Sequence, residues 1–411
     1  MRTFAKTLFL VACAGGVASA NGFYINEHDA RVTGRGGTAT ATDTDPSSIV
    51  YNPGGLAVGE GTAISIGASL IAAQATYNDA ADGSSTDTNA PPAVLPQAMI
   101  SHRINEMFAV GLAFHLPFGL AVKWPGSSPQ AEVVTSQSLR TYFITPAVGV
   151  NLDKQVPGLS FGAGLDLVPA TVQLEQNLYF GSEQGSAVLG GKAFGIGGRV
   201  GVMYKPAALN NKLSVGVAWK SQVNLDFKGT GDFDMAAPYR GQLPPDGDIS
   251  TTLHLPQSVS AGVAYRPTEQ AEIEVNAMWL DWSKFNTIDI TLPDGSHSVQ
   301  PQNYKDTVTL RLGGEYKLPA QKLAFRAGYI YDPTPVPNTT ISARLPDIDR
   351  HDVTIGASYK VSKQIDAHLA ALWVIPGSNE ASTKDMYMPI YKGTYDVTAF
   401  VASLGLGGRF E

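Results

Sequence analysis

The stretch from Leu213 to Phe227, LSVGVAWKSQVNLDF, decides the fold. Leu213, Val215, Val217, Trp219, Val223, Leu225 and Phe227 fall on one side, and Ser214, Gly216, Ala218, Lys220, Gln222, Asn224 and Asp226 on the other. Successive strand side chains point to opposite faces, so this reads as one strand with an apolar medium on one face and a polar one on the other. An ordinary globular strand has about five or six residues. A tilted strand of ten or more is what a bilayer requires.

The same rhythm recurs through the chain. Strands are expected at 62–76, 96–104, 107–117, 139–152, 158–178, 192–205, 212–228, 249–266, 269–282, 303–317, 321–332, 350–360, 364–374 and 395–410. The connections at 153–157, 206–211, 267–268, 318–320 and 361–363 are short. Those near 77–95, 118–138, 179–191, 229–248, 283–302, 333–349 and 375–394 are long. An even number of antiparallel strands, with short turns at one end and long loops at the other, is the anatomy of an outer-membrane barrel over residues 61–411. Closure also removes the free strand edge that lipid penalises. Aromatic residues such as Trp219, Trp279, Tyr316, Tyr359 and Trp373 lie toward strand ends, where their rings suit the headgroup level.

Composition excludes other classes. With 16% charged residues, 43 Gly and 26 Pro, the chain has no apolar run of eighteen beyond its N-terminus, which rules out helical spans. Residues 1–20 carry Arg2 and Lys6, an apolar stretch and Ala18-Ser19-Ala20, the pattern of a signal peptide cut after Ala20. A rival reading takes Leu10 to Cys13 as a lipoprotein box with Cys13 lipidated. Removing Arg2 and Lys6 leaves 27 basic against 36 acidic residues, none of the basic ones clustered, so nucleic acid is not an expected partner. Residues 21–60 do not alternate and are rich in Gly, Thr, Asp and Ala. They form either a disordered tail or a segment folded inside something larger.

Several strings resemble the FadL-type long-chain fatty-acid transporters of the bacterial outer membrane. They are NGFYINEHDARVTGRGGTATA at 21–41, Tyr51-Asn52-Pro53-Gly54, SQVNLDFKG at 221–229, LPQSVSAG at 255–262, WSKF at 282–285, FRAGYIYDPTPVP at 325–337 and LPDIDR at 345–350. The resemblance implies a fourteen-stranded antiparallel barrel with an N-terminal hatch inside the lumen. It also implies capture of a hydrophobic compound by the loops, transfer to a pocket above the hatch, and sideways exit into the bilayer. Fatty acids, aromatic hydrocarbons and alkanes all remain open as cargo. Three departures stand out. Phe410 is followed by Glu411 where family members commonly end in an aromatic residue, Gly54 follows the Asn-Pro in place of the alanine of the best-known members, and VPATVQLEQ at 168–176 has no arginine where the fatty-acid-specific members are expected to have a basic ligand contact.

Candidate site residues follow from position. His115, Pro117 and Gly119 lie where a lateral gap in the third strand is expected, because Pro117 removes a ladder donor and Gly119 loosens the backbone. The alternative is that Pro117 ends the strand. Phe118, Leu120, Val122 and Trp124 are apolar in an outer loop and are candidates for ligand capture, as is Phe23 near the hatch start. Lys305 and Arg311 could meet a carboxylate headgroup, or pair with acids of the lumen. Arg35, with Asp43 and Asp45, is expected to tie the hatch to the wall, and Asn52, Pro53 and Gly54 to shape it. The seven histidines are scattered without metal-ligand spacing, so neither metal, cofactor nor enzymatic activity is expected. The expected setting is the outer membrane, with lipid and lipopolysaccharide as neighbours and a monomeric barrel. A diffusion porin or a barrel adhesin is the rival from another class.

Overall fold

The structure is a computed structural model and describes residues 21–210, 212–381 and 392–410. The expected signal peptide, Cys13 and Glu411 lie outside the described residues. Fourteen wall strands close into one antiparallel barrel. They are β1 (Thr62–Asp79), β2 (Ala93–Arg103), β3 (Phe108–His115 and Gly119–Lys123), β4 (Ser136–Thr141 and Phe143–Asn151), β5 (Leu159–Phe180), β6 (Glu183–Tyr204) and β7 (Leu213–Lys220 and Val223–Asp234). These are followed by β8 (Gly247–Leu255 and Ser258–Tyr265), β9 (Ala271–Leu280 and Thr287–Thr291), β10 (His297–Pro301 and Thr307–Leu318), β11 (Leu323–Asp332), β12 (Arg350–Lys360), β13 (Ile365–Ala381) and β14 (Gly393–Phe410). Each pairs with its chain neighbour, and β14 returns to β1 from Phe410 opposite Thr62 to Gly393 opposite Asp79. No described helix is long and apolar enough to cross a membrane, so any crossing falls to the strands.

The outward faces carry the expected side chains. Ile273 and Val275 on β9, and Leu369 and Trp373 on β13, are about half exposed, as lipid-facing residues are when no lipid covers them. Leu116, which continues the apolar alternation of Phe108, Val110, Leu112 and Phe114 within the expected strand 107–117, is not turned to lipid but buried, because the strand breaks just before it.

Two expectations need correction. Residues 179–191 are not a long loop: β5 and β6, 22 residues each, run on and meet at the tight turn around Gly181, whose φ is +62°. At about 3.3 Å per residue such strands are roughly 70 Å long, and even tilted by about 40° they rise well past the ~30 Å hydrocarbon layer, so their upper parts stand clear of it.

The second correction concerns Leu213–Phe227, which is not one uninterrupted alternation. β7 matches Lys220 to Arg199 of β6 but Lys228 to Lys192, a register change of one residue at Ser221-Gln222. A single extra residue turns every later side chain to the other face. Val217 and Trp219 therefore face outward, while Val223, Leu225 and Phe227 are buried inside and Asn224 and Asp226 are exposed. The same inversion occurs in β8, where Val259 and Val263 are exposed below the break and Leu255 is buried above it. Below the break the wall is greasy outside; above it, greasy inside.

Residues 21–57 fill the lower lumen and are buried almost throughout. Asp29 caps a short helix, Ala30–Thr33, by accepting from the N–H groups of Arg31 and Val32, and also accepts from Ser65 Oγ of β1 at 2.9 Å. Asn52 accepts from Gly54 N at 2.9 Å and donates to Thr40 O at 2.6 Å and Val202 O of β6 at 3.0 Å. Gly54 lies so close to β6 that a Cβ there would be 2.8 Å from Met203 N. That contact gives the departure from alanine a structural reason. Arg35 meets Glu272 of β9 at 2.8 Å, and Asp45 meets Arg409 of β14 at 2.7 Å. Asp43 pairs within the hatch, with Arg31.

Candidate functional site: an apolar cavity above the hatch and a broken strand beside it

Asn21 and Gly22, at the start of the described chain, are pinned. Asn21 is fully buried: its amide nitrogen donates to Thr309 and Asp332, and its oxygen accepts from Trp282 Nε1 at 2.6 Å and Thr307. Gly22 N donates to Asp347 Oδ2 at 3.1 Å. Asp347 belongs to the loop after β11, and burial pushes its pKa up to about 7.

This anchoring sets Phe23 upright in an aromatic cluster. Its ring lies 4.8 Å from Trp282, 5.3 Å from Phe285 and 6.0 Å from Phe118, all edge-on. Above it opens a cavity of about 140 Å³. Phe23 and Leu120 line it, with Val172 and Leu174 of β5, Phe227 of β7 and Leu253 of β8. The polar lining comes chiefly from Gln137, Gln300, Gln302 and Arg344. The face inversion of β7 and β8 is what delivers Phe227 and Leu253 to this cavity.

The third strand is broken, and it resumes. β3 pairs with β4 as far as His115 opposite Phe143, loses its ladder over Leu116, Pro117 and Phe118, then pairs again from Gly119 opposite Arg140. The hatch takes up the freed backbone groups: Ile25 N donates to Pro117 O at 2.7 Å, and Gly119 N donates to Phe23 O at 3.0 Å. Thr141 Oγ1 donates to Phe118 O at 2.6 Å. On its other side β3 pairs with β2 only through Phe114 opposite Ala98, so Ala93–Gln97 have no β3 partner among the described residues. The wall is unzipped beside the cavity floor. His115 is fully buried at the break, with no hydrogen-bond partner on either ring nitrogen among the described residues, 5.1 Å from the ring of His28. Burial lowers the pKa of His28 to about 3.

The remaining expected residues are placed as follows. Val122 and Trp124 are buried in the same apolar cluster as Phe118, and Trp124 Nε1 donates to Ala343 O at 2.9 Å. Lys305 is exposed beside the cluster and does not border the cavity. Arg311 is buried against Gly37 and Asn26 of the hatch, below the cavity. Arg344, which borders the cavity, was missed from sequence. It stands one residue before the LPDIDR string, in a loop whose path no periodicity reveals.

A barrel whose own leading segment closes the lumen, with an apolar chamber above that stopper and an unzipped seam beside it, is a plugged membrane barrel of the kind that handles hydrophobic molecules. The chain belongs to the outer membrane protein transport family (OMPP1/FadL/TodX), whose model matches residues 11–410. It is therefore an outer-membrane transporter of hydrophobic compounds. It is 26% identical to the 47 kDa outer membrane protein of Pasteurella multocida, over 90% of this chain and 91% of that one. It is 24% identical to the long-chain fatty acid transport protein of Escherichia coli K12, over 88% and 89%. Among solved structures, a Pseudomonas aeruginosa FadL homologue superposes with a TM-score of 0.83 at 19% identity, covering 96% of this chain and all of that one. The Pseudomonas putida toluene transporter TodX gives 0.75 at 19% identity, covering 94% and 99%.

Proposed function

We propose that this chain takes up long-chain fatty acids passively, without altering them chemically. The loops collect the cargo, the cavity over Phe23 holds it, and it leaves sideways past Phe118 through the seam between Ala93–Gln97 of β2 and the upper part of β3. The observation that carries the reading is the conjunction of an apolar chamber, a filled lumen beneath it, and an unzipped seam at the level of the chamber floor. A polar solute gains nothing from such a chamber, and a straight path down is stoppered. The protein would work as a monomer after removal of residues 1–20, with lipid around its wall and lipopolysaccharide around its rim.

A second reading, uptake of aromatic hydrocarbons, is favoured by the edge-on cluster of Phe23, Phe118, Trp282, Phe285 and Tyr304, which suits a flat ring. Uptake of labelled oleate and labelled toluene by cells lacking their own transporter, with this chain supplied, separates the two. Small sugars serve as the porin control. Oleate uptake without sugar leakage is expected; rapid sugar entry through the intact protein would refute the plugged-transporter reading.

A further inference from the structure

Most of the buried and half-buried arginines of this lumen are answered by a carboxylate. Arg35 has Glu272, Arg199 has Asp166 at 2.7 Å, Arg326 has Glu315 at 2.6 Å, and Arg350 has Asp332 at 3.2 Å. Arg344 is different. Its Nε donates to Val133 O at 3.1 Å, its Nη2 to Gln176 Oε1 at 3.1 Å, and its Nη1 to Gln300 Oε1, all neutral acceptors. No carboxylate lies within ion-pair distance of it among the described residues, and burial lowers its pKa to about 10. Arg311, which also lacks such a partner among the described residues, is enclosed against the hatch, whereas Arg344 borders the cavity.

A guanidinium has five N–H donors, and these three bonds leave one on each terminal nitrogen. An uncompensated cation beside an apolar chamber is costly until an anion joins it, and a bond between two charged groups there is among the stronger hydrogen bonds. The adjoining wall, Val172 and Leu174 of β5 on the same strand as Gln176, is apolar and offers no competing charge. Gln176, Gln300 and Val133 hold the guanidinium in place from three separate segments, so the cation is fixed before any ligand arrives.

We propose that Arg344 is a specificity-determining residue that receives the carboxylate of an amphiphilic cargo while its chain lies along the apolar wall. This rests on the uptake reading above and narrows it: the cargo carries an anionic head, which a pure hydrocarbon lacks.

The test uses the full-length purified barrel and compares laurate with lauryl alcohol, same chain and uncharged head. The wild-type protein should bind laurate at least tenfold more tightly than the alcohol. Arg344→Gln should weaken laurate tenfold or more and leave the alcohol unchanged, and Arg344→Lys should restore part of the preference, keeping the charge but not the fork. Heat-modifiable gel mobility of each variant reports an intact barrel. Equal wild-type affinity for acid and alcohol overturns the headgroup assignment whatever the variants do, and leaves the uptake reading standing. Parallel loss of both ligands in a folded Arg344→Gln also overturns it, since that marks a packing role. Binding of neither ligand by the wild-type barrel overturns the uptake reading together with the assignment.

Discussion

Asn52 concentrates three hydrogen bonds in one buried side chain, to Thr40, Gly54 and Val202. Replacing it with Ala leaves their partners unmet, at about 1–3 kcal/mol for each buried group stranded. The expected result is a barrel of normal mobility whose hatch amides exchange faster, read by hydrogen exchange with the strand amides as internal reference. Asp347 adds a pH dependence. Its folded pKa of about 7 stands above the ordinary 3.8, because burial outweighs the lowering effects of Thr334, Gly22 and Arg350. A raised value means the fold binds the proton more tightly than the unfolded chain does. The stability this proton adds to the fold is then fully present below about pH 4 and is lost as pH rises toward 7, while Gly22 N, whose bond favours the charged carboxylate, stays held. Resistance to denaturant, as a difference between wild type and Asp347→Asn, should shift across that window and be flat outside it; a constant difference would remove Asp347 as the titrating group.

Strands were the most legible elements, because alternation is a local signal and the lipid face needs no partner to explain it. All fourteen wall strands lie where alternation puts them. What the alternation could not show is where a strand changes face. Val223, Leu225 and Phe227 continue the pattern of Leu213 to Trp219 on paper, and only the partner register reveals the extra residue at Ser221-Gln222. Length failed mainly for β6: its upper part, EQGSAVLGG at 183–191, is rich in glycine and keeps no clean alternation, so it read as a loop. For β3, Pro117 and Gly119 located the break, but the resumption at Gly119 depends on Phe23 and Ile25 of the hatch, over ninety positions away in the chain. Deleting Leu116, Pro117 and Phe118 removes an odd number of residues, which keeps Leu120 and Val122 facing inward while bringing the two halves of β3 together. The expected variant still binds laurate when purified but fails to pass it into cells. Undiminished uptake by a folded variant would argue against exit through this seam.

At the scale of the whole molecule, the hatch was legible as a segment without alternation, and its place in the lumen was settled by the tertiary contacts of Arg35, Asn52 and Asp45. The cavity was half legible. Phe23 and Leu120 could be picked out as apolar residues in segments that should be wet, whereas Arg344 could not, since its meaning lies in lacking a carboxylate neighbour. Removing residues 21–60 should leave the wall closed, as β1 and β14 pair along their full length without help from the hatch. The expected product admits small sugars in a liposome-swelling assay, where the intact protein does not. A tight barrel after that deletion would show that the loops alone seal it.

The face change at Ser221-Gln222 also shapes how the rim behaves among its neighbours. Had β7 kept its phase, Val223, Leu225 and Phe227 would form a sticky collar on a cylinder rising out of the bilayer, inviting adhesion between copies. With the phase shifted, the collar is wettable by Asn224 and Asp226, and the oil-loving groups are turned toward the passenger. One inserted residue lets a single ribbon meet lipid at one height and water at another.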